Sequence, residues 1–306
     1  MIAPQPGWTR TRKELHIMRT RYLSVLVVLV VGLAACETGG DTGITTAAIP
    51  GLTPPVLHSF PVDTITETAE YTGTVSWDGG FAWSPRFGGG KAYTATVTLM
   101  PNPGFSFAGV PANFFTVAGA LAVTNDADSG VVTVVFPATA SVSVGEAALG
   151  GTVAYILQSG DEGYVAGEQR GLVASATDLG SGGIQWAEDA YDDVLVPGGT
   201  DTALGTGAAN TASIVAQNGP GDTFAAGLAQ AHDGGIYSDW YLPSIDELGR
   251  LYDNRAAIGG FSTSSYWSST ADSATNAQRI DFNSADGATQ NFGKAITLRV
   301  RAVRVF

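Results

Sequence analysis

Cysteine is nearly absent from this 306-residue chain: Cys36 is the only one, beside three histidines, His16, His58 and His232. A single cysteine permits no intrachain disulfide and no cysteine-cluster metal site. Three histidines leave little room for imidazole-based catalysis. Charge is also sparse, at 14% of residues, and positive charge is the scarcer sign: 15 Lys and Arg face 28 Asp and Glu, a net of −13. That balance argues against nucleic acid as the main partner, because phosphate binding requires clustered cations. What the chain does have is 44% apolar residues, 40 glycines and 14 prolines. This is enough apolar material for about two domains, with many turns and short strands.

The apolar run at 23–33, LSVLVVLVVGL, has 11 residues, short of the ~20 that span a bilayer. It suits the core of a signal peptide, with Arg19 and Arg21 before it and Leu33-Ala34-Ala35-Cys36 after it. This sequence resembles the bacterial lipobox, in which an aliphatic residue and two small ones precede a cysteine. The resemblance implies that residues 1–35 are removed, that the Cys36 thiol takes a diacylglyceryl group, and that the new amino terminus is acylated. The expected location is the bacterial cell envelope, at the outer membrane or cell surface rather than the inner membrane. Met18 is a better start than Met1, since residues 1–17 make an awkward leader. The alternative is a free thiol after an ordinary signal or membrane helix. Residues 1–35 hold five of the basic and one of the acidic residues, so residues 36–306 keep ten and 27, a net of −17.

Residues 36–59 are rich in Gly, Thr and Pro without sustained period, and are expected to form a flexible tether behind the lipidated cysteine, with His58 solvated. Residues 60–140 read as an all-β module. The segments 72–77 (TGTVSW) and 92–99 (AYTATVTL) alternate, 131–136 (VVTVVF) suits a buried strand, and Gly/Asp/Pro turns lie between them. The pattern from 69 to 139 resembles an Ig-like repeat of spirochaete surface lipoproteins, which implies a sandwich without known chemistry.

Residues 147–306 alternate differently. Strands are expected at 151–157 and 171–175, helices from about 208 and over 223–231, and a helix after Ser244, whose Ser244-x-x-Glu247 spacing is a capping box. Strands follow at 265–269, 277–282 and 298–305, an α+β order. The ordered motifs GGTVAYIL, RGLVA, GGIQW, GTGAANT, SDWYLPSIDEL, YWSST and VRAVRVF closely resemble the DUF1566 family, the Lcl C-terminal domain of a collagen-like adhesin. A weaker resemblance to formylglycine-generating enzymes and variable ligand-binding proteins implies a C-type-lectin-like fold. The fold class expected is therefore an Ig-like sandwich followed by a C-type-lectin-like α+β domain.

Several residues are candidates for chemistry. The oxidase activity of that second group needs paired cysteines, which the chain lacks. His232 follows a predicted helix and reads as a C-terminal cap. The acidic run Glu188, Asp189, Asp192 and Asp193 either binds Ca²⁺ or is a solvated loop; no EF-hand spacing is present, and no metal or cofactor is expected. Gly180–Gly183 and Gly198-Gly199 read as turns. Trp240, Tyr241, Tyr266 and Trp267 either stack on a ligand or pack in the core. Arg299 and Arg301 share one strand face and Arg304 the other; they contact a sulfated glycan or pair with Asp246, Glu247 or Asp281. From 147 onward eight basic and 18 acidic residues give −10, a field that opposes a polyanion. The expectation is a membrane-anchored, non-catalytic protein that binds a glycan or protein ligand; a structural spacer is the alternative and an envelope enzyme ranks third. The sequence names no oligomeric state.

Overall fold

The computed structural model describes residues 40–79 and 81–306, so Cys36 and the leader lie outside the described residues. The chain runs through β1 (Thr42–Gly43), β2 (Tyr71–Trp77), β3 (Ala92–Pro101), β4 (Phe105–Ser106), β5 (Ala122–Asn125) and β6 (Val131–Ala138). Strands β2, β3, β6 and β5 pair in that order, all antiparallel. The β-branched alternation explains the pairing: Ala95, Val97 and Leu99 on β3 and Val132, Val134 and Phe136 on β6 face one core, while Val131 is half exposed. The run at 131–136 is thus buried on one face only.

The expected tether is a correction. Residues from 42 onward are folded against the module: Ile44, Ile49 and Leu52 are buried in its core, β1 pairs with β4, and Tyr71 Oη donates to Ala48 O at 2.6 Å. Three apolar side chains at irregular spacing carried no periodic signal, yet they cover the open end of the β-core. His58 is buried, 4% exposed, and not solvated.

The chain then forms β7 (Ala147–Ala148), β8 (Gly151–Ile156), β9 (Gly171–Ala174), β10 (Leu179–Ile184), α1 (Gly207–Asn218), α2 (Ala225–Gln230), α3 (Ile245–Asp253), α4 (Arg255–Ile258), β11 (Ser265–Ala271), β12 (Asn276–Asp281), β13 (Thr289–Gly293), β14 (Leu298–Val300) and β15 (Val303–Val305). One antiparallel sheet has the order β15-β9-β8-β7; a mixed sheet has the order β10-β14-β11-β12-β13, with β11 and β14 parallel. The expected single strand over 298–305 is broken at Arg301-Ala302, and its halves serve different sheets. The turn expected at 180–183 is part of β10, whose register with β14 shifts between Leu179 and Ile184.

Residues 41–306 form one unit. Gly89 N and Gln169 N each donate to the other's carbonyl, at 2.8 and 2.7 Å. Arg170, fully buried, donates to Ser84 O at 2.9 Å and to Arg86 O at 3.1 Å, and pairs with Glu168, which also meets Lys91. Trp83 packs against the apolar cluster containing Leu204, Leu248 and Tyr266. No helix among the described residues is long and apolar enough to cross a membrane.

Candidate functional site

The residues singled out for ligand contact are mostly interior. Trp240, Tyr241, Tyr266 and Trp267 are buried, the last two completely. Their polar atoms are used within the fold: Trp267 Nε1 donates to Ile184 O at 3.0 Å, Trp240 Nε1 to Tyr237 O at 3.1 Å, Tyr266 Oη to Asp178 at 2.7 Å and Tyr241 Oη to Glu247 at 3.0 Å. Exposing such a ring to a ligand would forfeit burial worth about 2–3 kcal/mol. These four are core residues, which corrects their assignment to a binding surface.

The arginines also differ from expectation. Arg301 is fully buried and pairs with Asp178 at 3.0 Å, with further bonds to Ser175 O and Gly260 O. Arg304 is equally buried and grips Asp239 through two bonds of 2.6 and 2.9 Å. Asp246, Glu247 and Asp281 are not their partners. Arg299, partly exposed, donates to Ser181 O at 3.2 Å. The break after β14 turns Arg301 inward, so alternation along an unbroken strand does not describe these side chains.

The acidic run at 188–193 faces a cation. Lys294 is buried, donates to Val194 O at 2.7 Å and lies over the Trp186 ring; burial lowers its pKa, while Asp192 and Asp193 oppose that shift. Glu188 accepts from Thr223. Among the described residues, no group of three or more His, Cys, Asp and Glu converges to hold a metal. His232 packs edge-on against Trp240, with ring centroids 4.8 Å apart, and burial lowers its pKa.

An open site comes from α3. The capping box forms as expected: Glu247 N donates to Ser244 Oγ at 3.3 Å and Ser244 N to Glu247 Oε2 at 2.7 Å. Leu248, Leu251 and Tyr252 then point inward, and helical spacing turns Asp246, Gly249, Arg250 and Asp253 outward. These residues, with Asp161, Glu162, Leu204 and Thr289, line a cleft of about 420 Å³. Arg250 crosses it to Asp161 at 3.5 Å and lies over the Tyr155 ring. Asp161 is held by Tyr155 Oη at 2.6 Å and Gln158 N at 2.7 Å. Burial raises the Asp246 carboxyl pKa, Arg250 opposes this, and Asp201 adds to it.

Beneath the cleft floor, Glu247 is completely buried and accepts from Ser244 N, Gly205 N and Tyr241 Oη. Burial nevertheless pushes its carboxyl up to about 7. Gly207 makes this approach feasible, since a Cβ there would sit 2.2 Å from the Glu247 carboxylate.

The cleft offers four carboxylates and one guanidinium, hence many acceptors and a single cationic donor. That chemistry suits hydroxyl groups and amines. Sequence reading missed these residues, although the Asp246-x-x-x-Arg250-x-x-Asp253 stripe opposite the apolar face of a capped helix was visible. Comparison with family models gave no match, and comparison with curated proteins gave none.

Proposed function

We propose that the chain is a lipid-anchored protein of the bacterial envelope that binds a ligand without transforming it, and that the α3 cleft receives the ligand. Anchoring rests on the Leu33-Ala34-Ala35-Cys36 resemblance. Binding rests on one observation, the cleft of about 420 Å³ whose outward carboxylates flank Arg250. Sugar hydroxyls or basic peptide side chains suit those walls, in keeping with the expected glycan or protein ligand. The resemblances to an Ig-like repeat and to a DUF1566, C-type-lectin-like domain support the same reading, because both belong to display and recognition proteins.

The test is a screen of glycans and basic peptides against the full chain, repeated with Arg250→Ala and Asp246→Asn. A ligand whose affinity falls tenfold or more in either variant supports the cleft. Ligands that bind both variants equally place the site elsewhere, and the absence of any ligand favours the alternative, a structural spacer. One observation favours that alternative: five of the six residues first expected to meet a ligand are buried.

A further inference from the structure

His58 is a buried imidazole wedged against a cation. Its Nε2 meets Nη2 of Arg304, a contact in which the neutral ring accepts and the arginine donates. The ring proton is thereby placed on Nδ1, which is buried and has no hydrogen-bond partner among the described residues. A second guanidinium approaches from the module side, since Arg86 Nη1 donates to His58 O at 3.1 Å. The edge of the Tyr237 ring packs on the imidazole, with centroids 5.4 Å apart. Asp239 is the carboxylate that faces this group, and Arg304 already occupies both its oxygens. The backbone is strained as well: His58 has φ 66°, a left-handed conformation uncommon for a side-chain-bearing residue.

The position joins two parts of the fold. His58 N donates to Phe87 O at 2.8 Å and Phe87 N to Ser59 O at 2.9 Å, tying the segment to the module. The side chain reaches β15 through Arg304, and neighbouring Leu57 packs against the C-terminal apolar cluster. Arg304 also donates to Leu149 O at 3.2 Å. A proton on Nε2 would remove the acceptor that Arg304 uses and set two cations in contact, with Arg86 close by and the facing carboxylate, Asp239, already bound to Arg304.

We propose that His58 is an acid-sensitive clasp, and that protonation of its imidazole releases segment 56–59 from Arg304 and opens that edge of the contact between the β-module and the C-terminal part. The second contact, through Arg170 and Gln169, stays closed. Acid therefore removes one of several attachments between the module and the part that carries the cleft, and the Trp83 packing against the Leu204 and Leu248 cluster remains. Burial first, then Arg304 and Arg86, hold the imidazole pKa down to about 3, with Asp239 opposing. The closed form therefore stays neutral while the released ring titrates near its ordinary value, and opening becomes about tenfold more favourable for each pH unit below about 6.5.

Amide hydrogen exchange of the full chain, corrected for intrinsic rates, tests this between pH 7 and 4.5. The amides of His58 and Phe87 should lose protection about 50-fold from pH 6.5 to 4.5, while Gln169 and the β3–β6 core amides lose none. His58→Gln, which keeps an acceptor toward Arg304, and His58→Asn, which suits the left-handed backbone, should both abolish the slope. Constant protection in the wild type, an equal slope in both variants, or an equal slope at the core amides overturns the clasp. Should neither variant fold, imidazole NMR of the wild type decides: a ring that stays neutral to well below pH 6.5 in the closed form supports it, and one that titrates near 6.5 while these amides remain protected overturns it.

Discussion

At the scale of single residues, several ionisable side chains lie in the interior. Arg170, Arg301 and Arg304 are fully buried, as are Glu247 and Lys294. Removing one partner of such a pair leaves an uncompensated interior charge, which costs far more than losing a surface pair. Glu247 gives the clearest pH signature. Its pKa in the folded chain is about 7 against 4.5 ordinarily, so from pH 4.5 to 7 the folded state holds a proton that the unfolded state has released. The folded state binds more protons there, and stability contributed by this group falls as pH rises, by about 3 kcal/mol over the window. Denaturant unfolding from pH 4.5 to 7 should show this decline, and Glu247→Gln should flatten it. A slope unchanged in the variant would refute the assignment. The sequence showed Glu247 as a capping residue. It did not show that Tyr241 and Gly205 also donate to it, because those contacts depend on tertiary placement.

At the scale of elements, α3 was the most legible part of the chain. Its capping box and apolar spacing are local signals, and its start after Ser244 follows from them. Ser244→Ala should lower stability by about 0.5–2 kcal/mol, the range for losing such a cap, and thermal unfolding would measure it; no change would mean that the cap is redundant. The Ser244 hydroxyl also donates to Ala203 O at 2.8 Å, so the upper half of that range is expected. Less was legible where long-range pairing overrides local pattern. The glycine-rich segment of β10 looks like a turn and becomes a strand because β14 lies beside it. The β-rich stretch 298–305 looks continuous and breaks because Arg301 reaches Asp178 and Ser175 O, while Ala302 O accepts from Ser175 N at 2.8 Å. The six proposed contact residues were chosen by type. Aromatic type alone does not separate a stacking platform from a core ring, and here the fold buries the rings.

At the scale of the whole molecule, the contacts between the module and the C-terminal part include the Arg170–Gln169 contact, the His58–Arg304 contact and the packing of Trp83 against the Leu204 and Leu248 cluster. Ile44, Ile49 and Leu52 are packed in the module core, so the expected tether does not extend to residue 59. Residues 36–306 carry a net charge of −17. An anionic surface would repel that charge, so the proposed anchoring relies on covalent lipid, with more than one acyl chain for stable attachment. The most direct measurement is metabolic labelling of the full chain in a bacterial host with a clickable palmitate analogue, together with membrane fractionation. A labelled, membrane-bound wild type and an unlabelled, released Cys36→Ser variant are expected. An unlabelled wild type, or a Cys36→Ser variant that keeps both label and membrane association, would contradict the proposed anchoring.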